Sequence, residues 1–293
     1  AAGESVLFLT RELGILPALV RLRRRFRDRL TIIHETHDFF ASLDHVASPS
    51  LTDRRKRWCE RHVLPRIDGV LCITPEQEGL YRTALPGVET FYSPLGCLDP
   101  VAPEDGGYRR RSAAYVGHLH SQKGINLLVK VAPVFAEHDI TLQVYGGYPE
   151  QISKLEAKVE KLGAAGAVRF FPFMPPAALH EQLHESAGAF LCPLKETYYN
   201  RNLTCPVKAL DALAHCVPTI ASDLPSTRAV LGDSAVYVEP EKVSAFAQAT
   251  VELFGDADRY SGLAGAAQAR AQELRWPQRA QSIADWVGGL PRG

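Results

Sequence analysis

The sequence runs to 293 residues and is short of several things. It has one methionine, Met174, and no excess of charge, since 33 basic residues balance 33 acidic ones. Net charge therefore points to no polyanionic partner. No apolar run approaches the roughly 18 residues of a membrane span. The apolar stretch 6–9 is too short for a leader, and its basic segment follows instead of preceding it, so no signal peptide is expected. The cysteines are Cys59, Cys72, Cys97, Cys192, Cys205 and Cys216, and none forms a CxxC pair. Several sit in apolar runs such as Val70-Leu71-Cys72-Ile73, which predicts buried, reduced thiols in a cytoplasmic protein. Paired ligand spacing for zinc is missing, so no metal is expected. There is no internal repeat and no low-complexity tract.

What is present has the balance of a globular enzyme, with 46 % hydrophobic and 23 % charged residues. The length suits two domains. Short β-rich runs are predicted at 6–10, 30–34, 69–74, 88–92, 113–117, 140–145, 168–171, 189–192, 217–221 and 235–238. Helical periodicity fills gaps at 124–137, 151–162, 177–185 and 206–215. Apolar strands alternating with helices predict an α/β protein of two doubly wound, Rossmann-like domains with parallel sheets, the first of them short. A run rich in Pro, Gly and acid places a linker at 98–111. It separates an N-terminal domain, 1–97, from a larger one, 112–274. A C-terminal helix at 275–293 is expected to pack back on the first domain.

Four segments could carry chemistry. In Tyr115-Val116-Gly117-His118-Leu119-His120-Ser121-Gln122-Lys123-Gly124 a strand ends at Gly117 and a helix opens near Gly124. Gly117 admits close backbone approach, and the helix N-terminus with Lys123 suits a phosphate. An ordinary strand–helix turn with a solvated lysine is the plainer alternative. In Thr204-Cys205-Pro206-Val207-Lys208-Ala209-Leu210-Asp211, Thr204 or Cys205 is expected to cap a helix with Pro206 in its first turn. Lys208 and Asp211 fall on one face, either around a ligand or as an exposed pair worth little. His34-Glu35-Thr36-His37-Asp38 follows a strand, where doubly wound domains place function, although each histidine could equally be structural. Finally, residues 11–66 carry thirteen Arg or Lys against seven Asp or Glu. The segment Arg21-Leu22-Arg23-Arg24-Arg25-Phe26-Arg27-Asp28-Arg29, continued by Arg54-Arg55-Lys56-Arg57, is either a membrane-facing basic helix or a solvated face. Nucleic acid is not expected, because aromatics are not interleaved as stacking platforms.

In order along the chain, these segments resemble glycosyltransferase family 4, retaining enzymes of the GT-B fold. Gly117-His118-Leu119 and Lys123-Gly124 correspond to that family's Gly-Arg/His-Leu turn and Lys-Gly. Val144-Tyr145-Gly146-Gly147 corresponds to the next strand end, and Val168-Arg169-Phe170-Phe171-Pro172-Phe173-Met174-Pro175 to the segment cradling the base. Cys205-Pro206-Val207-Lys208-Ala209-Leu210-Asp211-Ala212-Leu213-Ala214 corresponds to a Ser-Pro-x-Lys-x-x-Glu-x-x-Ala motif. The resemblance covers 112 to the C-terminus, and more loosely back to Val6.

The resemblance implies a metal-independent hexosyltransferase without cofactor. Its donor would be a nucleoside-diphosphate sugar such as a UDP-sugar, and its acceptor a glycan or lipid-linked molecule in polysaccharide biosynthesis. Lys123 would neutralise the diphosphate, His118 would assist, and Asp211 would bind the ribose. Gly117, Tyr145, Gly146, Thr204, Cys205 and Lys208 would line the donor, the backbone of Phe173 and Met174 would hold the base, and His37 would face the transferred sugar or acceptor. The chain departs from the pattern at Asp211 for Glu, Pro172 for Gly, Cys216 for Gly, and Leu203 where a second acid is expected, with Glu196 nearby. The family's first strands and Gly-rich loop have no counterpart before Val6. Two other readings stay open: a donor-binding subunit without turnover, completed by a protein partner, and another GT-B enzyme such as a sugar-nucleotide epimerase.

Overall fold

The structure is a computed structural model that describes residues 5–26, 29–120 and 123–290. Arg27, Asp28, Ser121 and Gln122, which belong to two of the segments above, lie outside the described residues. The chain divides into two compact units. The first comprises Ala1–Leu95, Arg201–Cys205 and Pro277–Gly293, and the second Gly96–Asn200 and Pro206–Trp276.

In the first unit the strands β1 (Val6–Thr10), β2 (Leu30–Thr36), β3 (Gly69–Cys72) and β4 (Thr90–Tyr92) form one parallel sheet in that order. β3 is buried along its whole length, as its apolar run predicts. Helices α1 (Leu16–Phe26), α2 (Leu51–His62) and α3 (Pro75–Ala84) connect the strands. α2 starts where it does because Ser50 and Asp53 form a reciprocal capping box. α3 is capped by Thr74, whose hydroxyl accepts from Gln77 N, with Pro75 at its first position. Helix α12 (Trp276–Gly289) packs Ile283 and Trp286 against Ile33, Leu71 and Phe91. Trp286 stacks on Phe91 at 5.1 Å between ring centroids. Its ring lies 2.6 Å from where a Cβ on Gly69 would stand, so only glycine allows this approach.

The second unit carries β5 (Ser112–Val116), β6 (Thr141–Gly147), β7 (Val168–Pro172), β8 (Ala189–Cys192), β9 (Thr219–Ser222) and β10 (Ala235–Val238). They form a parallel sheet in the order β10-β9-β8-β5-β6-β7. The order reverses between β5 and β8, the place where such sheets open a crevice at their carboxyl ends. Apolar side chains cover both faces, with Tyr115, Leu128, Phe135 and Phe246 on one and Tyr145, Leu183, Phe190 and Val217 on the other. Helices α4 (Ile125–Glu137) and α8 (Val207–Ala214) begin beyond the ends of β5 and β8. α8 starts one residue later than its sequence suggests, with Pro206 as N-cap and no side-chain cap. Thr204 and Cys205 are therefore not its caps. They are buried in the first unit, and Pro206 offers no side-chain cap to the first turn of α8. All six cysteines are free and buried among the described residues. No helix among the described residues is long and apolar enough to cross a membrane.

Candidate active site

In the second unit the turn after β5 is held from below. Gly117 takes φ +137°, and its N–H donates to Tyr145 O at 3.0 Å. The buried Tyr115 hydroxyl lies 3.1 Å from His118 O and 3.2 Å from Lys123 O, which pins both ends of the 118–123 loop. Gly124, at φ +85°, opens α4, and a Cβ there would stand 2.1 Å from Pro193 O. Gly117 and Gly124 are thus held where a side chain would be strained or would clash, and Lys123 adjoins the second of them.

Lys208 comes to the same place from α8. Its Nζ lies 4.3 Å from the Tyr115 ring centroid and 4.0 Å from where a Cβ on Gly117 would stand. This nitrogen is shut off from water and has no hydrogen-bond partner among the described residues. Burial, with a contribution from the Lys123 charge, lowers the Lys208 pKa to about 8. Asp211, one turn further, is pushed up to about 6 by burial against the pull of Lys208. Lys208 and Asp211 are thus not the exposed surface pair that the sequence also allowed. The Lys208 ammonium stands at a glycine turn, the Lys123 charge acts on it, and helix α8 begins beside it, an arrangement that suits a diphosphate.

The other second-unit residues divide into those with side chains at this turn and those without. Gly146 takes φ +108°, and a Cβ there would stand 2.7 Å from Gly117 O and 3.4 Å from Phe173 Cε1. The His118 ring packs on Phe173 at 5.1 Å. Tyr145 instead turns its ring into the core, stacked on Phe171 at 4.5 Å, and brings only its carbonyl to the turn. Met174 packs against the same core cluster. One residue went unmarked in the sequence. Tyr148, exposed at the start of helix α5 (Pro149–Lys161), meets Phe173 edge-on at 5.0 Å. An aromatic just after the Gly146-Gly147 strand end was the available signal.

In the first unit His37 lines a cavity of about 690 Å³ at the carboxyl ends of β1 and β2. Its Nε2 is 2.8 Å from Glu35 Oε1. Arg279, from α12, donates to Glu35 Oε2 at 2.7 Å and to Pro94 O. Burial opposes the Glu35 charge, but the hydrogen bonds from His37 and Arg279 outweigh it and hold the carboxyl down at about 2. His34 is a structural histidine, with Nδ1 3.1 Å from Thr10 O and a pKa lowered by burial to about 4. Glu60, also on the cavity wall, is pushed up to about 7 by burial, although it accepts from Tyr81 and Phe40 N. Among the described residues no cluster of three His, Cys, Asp or Glu is arranged to hold a metal.

Arg279 is the residue that no sequence pattern announced. Arg279→Met should destabilise the first unit by roughly 3 kcal/mol at pH 7, because the Glu35 carboxylate stays buried with its main cation gone. Glu35, folded at about 2 against 4.5 unfolded, contributes stability that is present above pH 4.5 and lost as pH falls towards 2. The variant should show a flatter pH dependence in that window. Urea unfolding at pH 7 and pH 3 measures both, and an unchanged acid limb would refute the pairing.

Residues 110–256, half of the chain, match the model of the family described as glycosyl transferases group 1. A D-inositol 3-phosphate glycosyltransferase of Corynebacterium urealyticum is 27 % identical over 187 residues, which is 60 % of this chain and 42 % of that protein. The chain therefore spans under half the length of that curated relative. Among solved structures, sucrose-phosphate synthase from Thermosynechococcus elongatus aligns with a TM-score of 0.71 at 21 % identity, over 96 % of this chain and 73 % of that one. Anabaena HepE in complex with UDP and glucose aligns at 0.73 and 15 % identity, over 97 % and 78 %. These likenesses establish the GT-B fold.

Proposed function

Since this chain belongs to the group 1 glycosyl transferases, we propose that it transfers a hexose, with retention, from a nucleoside-diphosphate sugar to a glycan or lipid-linked acceptor, in the manner of family 4. The observation that carries this reading is the buried ammonium of Lys208 beside Gly117, without a hydrogen-bond partner among the described residues. A cation desolvated without an anion is costly, and a site keeps it when a ligand supplies the missing charge. Lys208, Lys123 and the N-terminus of α8 stabilise the departing diphosphate, the work a divalent metal does elsewhere, so the reaction needs none. Asp211 accepts from the ribose diol. The first-unit cavity beside His37 receives the acceptor. Support for a uridine donor comes from HepE, whose structure holds UDP and glucose. Calorimetry with UDP, GDP, ADP and their sugars tests the donor reading, and silence with all of them would sink it. The anomeric configuration of the product by NMR tests retention.

The aromatic pair extends the reading to the base. Phe173, 44 % exposed, and Tyr148, 60 % exposed, stand beyond Gly146 from Lys208. Their rings offer a stacking face for the nucleobase. Base stacking on an aromatic is worth roughly 1–3 kcal/mol. Phe173→Ala should weaken UDP by about tenfold or more and leave inorganic pyrophosphate unaffected. Equal losses for both ligands would place the base elsewhere.

A further inference from the structure

One helix of the first unit shows a face that its own fold leaves unused. α1 is Leu-Pro-Ala-Leu-Val-Arg-Leu-Arg-Arg-Arg-Phe, without an acid. It buries Leu16 and Leu19. Arg23 is also turned inward, pairing with Asp68 and donating to Arg66 O. The line Ala18, Leu22, Phe26, spaced one turn apart, faces out instead, with Leu22 44 % and Phe26 39 % exposed. Ile15, just before the helix, extends this line and is 40 % exposed. Arg21 and Arg25 run beside it, and Arg24 stands beyond them. All three arginines are exposed, and none pairs with an acid among the described residues. A solvated helix has no use for an apolar line of this length, and a protein-facing one has no use for unpaired guanidinium groups along its edge.

α2 repeats the pattern. Leu51 is 74 % and Trp58 56 % exposed on one face, with Arg54 and Arg57 exposed along one side of it. The turn Leu13–Ile15 lies against both helices, within the same unit. We infer that these two helix faces seat the first unit on an anionic phospholipid surface, with Leu22, Phe26 and Trp58 entering the headgroup layer and the flanking arginines meeting lipid phosphate. Tryptophan at the boundary and arginine with a buried stem and a wet head are the residues that suit this depth. Neither helix is long or apolar enough to cross the bilayer, so contact is peripheral. The inference is independent of the donor site, which lies in the other unit.

Vesicle flotation of the full chain tests it. The parent protein should float with phosphatidylcholine–phosphatidylglycerol vesicles, fail to float with phosphatidylcholine alone, and detach as salt is raised. R24Q/R25Q should weaken partitioning on the order of thirtyfold. L22S/F26S should weaken it at least tenfold on the same vesicles. Circular dichroism melting and UDP binding should stay at parental values in both variants, which separates lost contact from lost fold. Failure of the parent to float with the anionic vesicles, or flotation unchanged in L22S/F26S, would overturn the inference. So would equal binding to heparin that ignores L22S/F26S, since a soluble polyanion needs no apolar line.

Discussion

Lys208→Met is expected to weaken nucleoside-diphosphate binding by about three orders of magnitude, on the order of 4 kcal/mol, while the empty protein becomes no less stable. The two effects have one cause. The Lys208 ammonium sits over the Tyr115 ring without a hydrogen-bond partner among the described residues. Burial, joined by the Lys123 charge, lowers its pKa from 10.5 to about 8. Between about pH 8 and 10.5 the unfolded chain therefore holds the proton that the folded chain has shed, so stability rises with pH across that window. Below about pH 8 the charged group costs the fold roughly 3 kcal/mol. Methionine fills the same volume without the charge, so the rise should flatten and the melting temperature at pH 7 should hold or increase. A diphosphate supplies the missing anion and draws the proton back. Binding above about pH 8 should then take up a proton, and affinity should fall as pH rises. Calorimetry at pH 7.5 and pH 9 in buffers of differing ionisation enthalpy reads the proton, and urea titrations read the stability. Parental UDP affinity in the variant would refute the assignment of Lys208.

The second large effect separates an enzyme from a binder. His37→Ala should lower turnover by roughly 10²–10³-fold and leave UDP affinity within about twofold of the parent. His37 belongs to the first unit, whereas Lys208 and Asp211 belong to the second. Its ring is oriented by Glu35, which Arg279 holds ionised. One observation favours the rival reading of a subunit that binds donor without turnover. Leu203, buried in the first unit, occupies the position where an acid was expected. That reading expects no release of UDP from UDP-glucose by the parent, with or without an acceptor extract, and nothing for His37→Ala to remove. Loss of turnover together with loss of UDP binding would instead give His37 a structural part.

Much of the candidate site was legible in residue order. Gly117, Lys123, Gly124, Lys208 and Asp211 are few, spaced along strand–helix junctions, and demanded by steric or electrostatic needs that other residues cannot meet. The apolar runs likewise announced parallel sheets, and all described strand pairs are parallel. Less legible were side-chain directions. Tyr145 reads as a site residue because it adjoins Gly146, yet the two-residue alternation of a strand sends its ring into the core. Thr204 reads as a helix cap by composition, yet the chain bends at Pro206, and α8 starts after it.

The sequence by itself determined the class of fold, the glycine turns and the lysines placed near them, because those follow from local rules of spacing, chirality and charge. Tertiary structure alone decided that the Lys208 ammonium is buried over Tyr115, that Arg279 meets Glu35 across 244 positions of chain, and that Tyr148 stands against Phe173. It also decided which faces of α1 and α2 stay uncovered. Each of these depends on what packs against a side chain from a distant part of the chain. Desolvation and pairing are properties of that neighbourhood, and no local pattern encodes them.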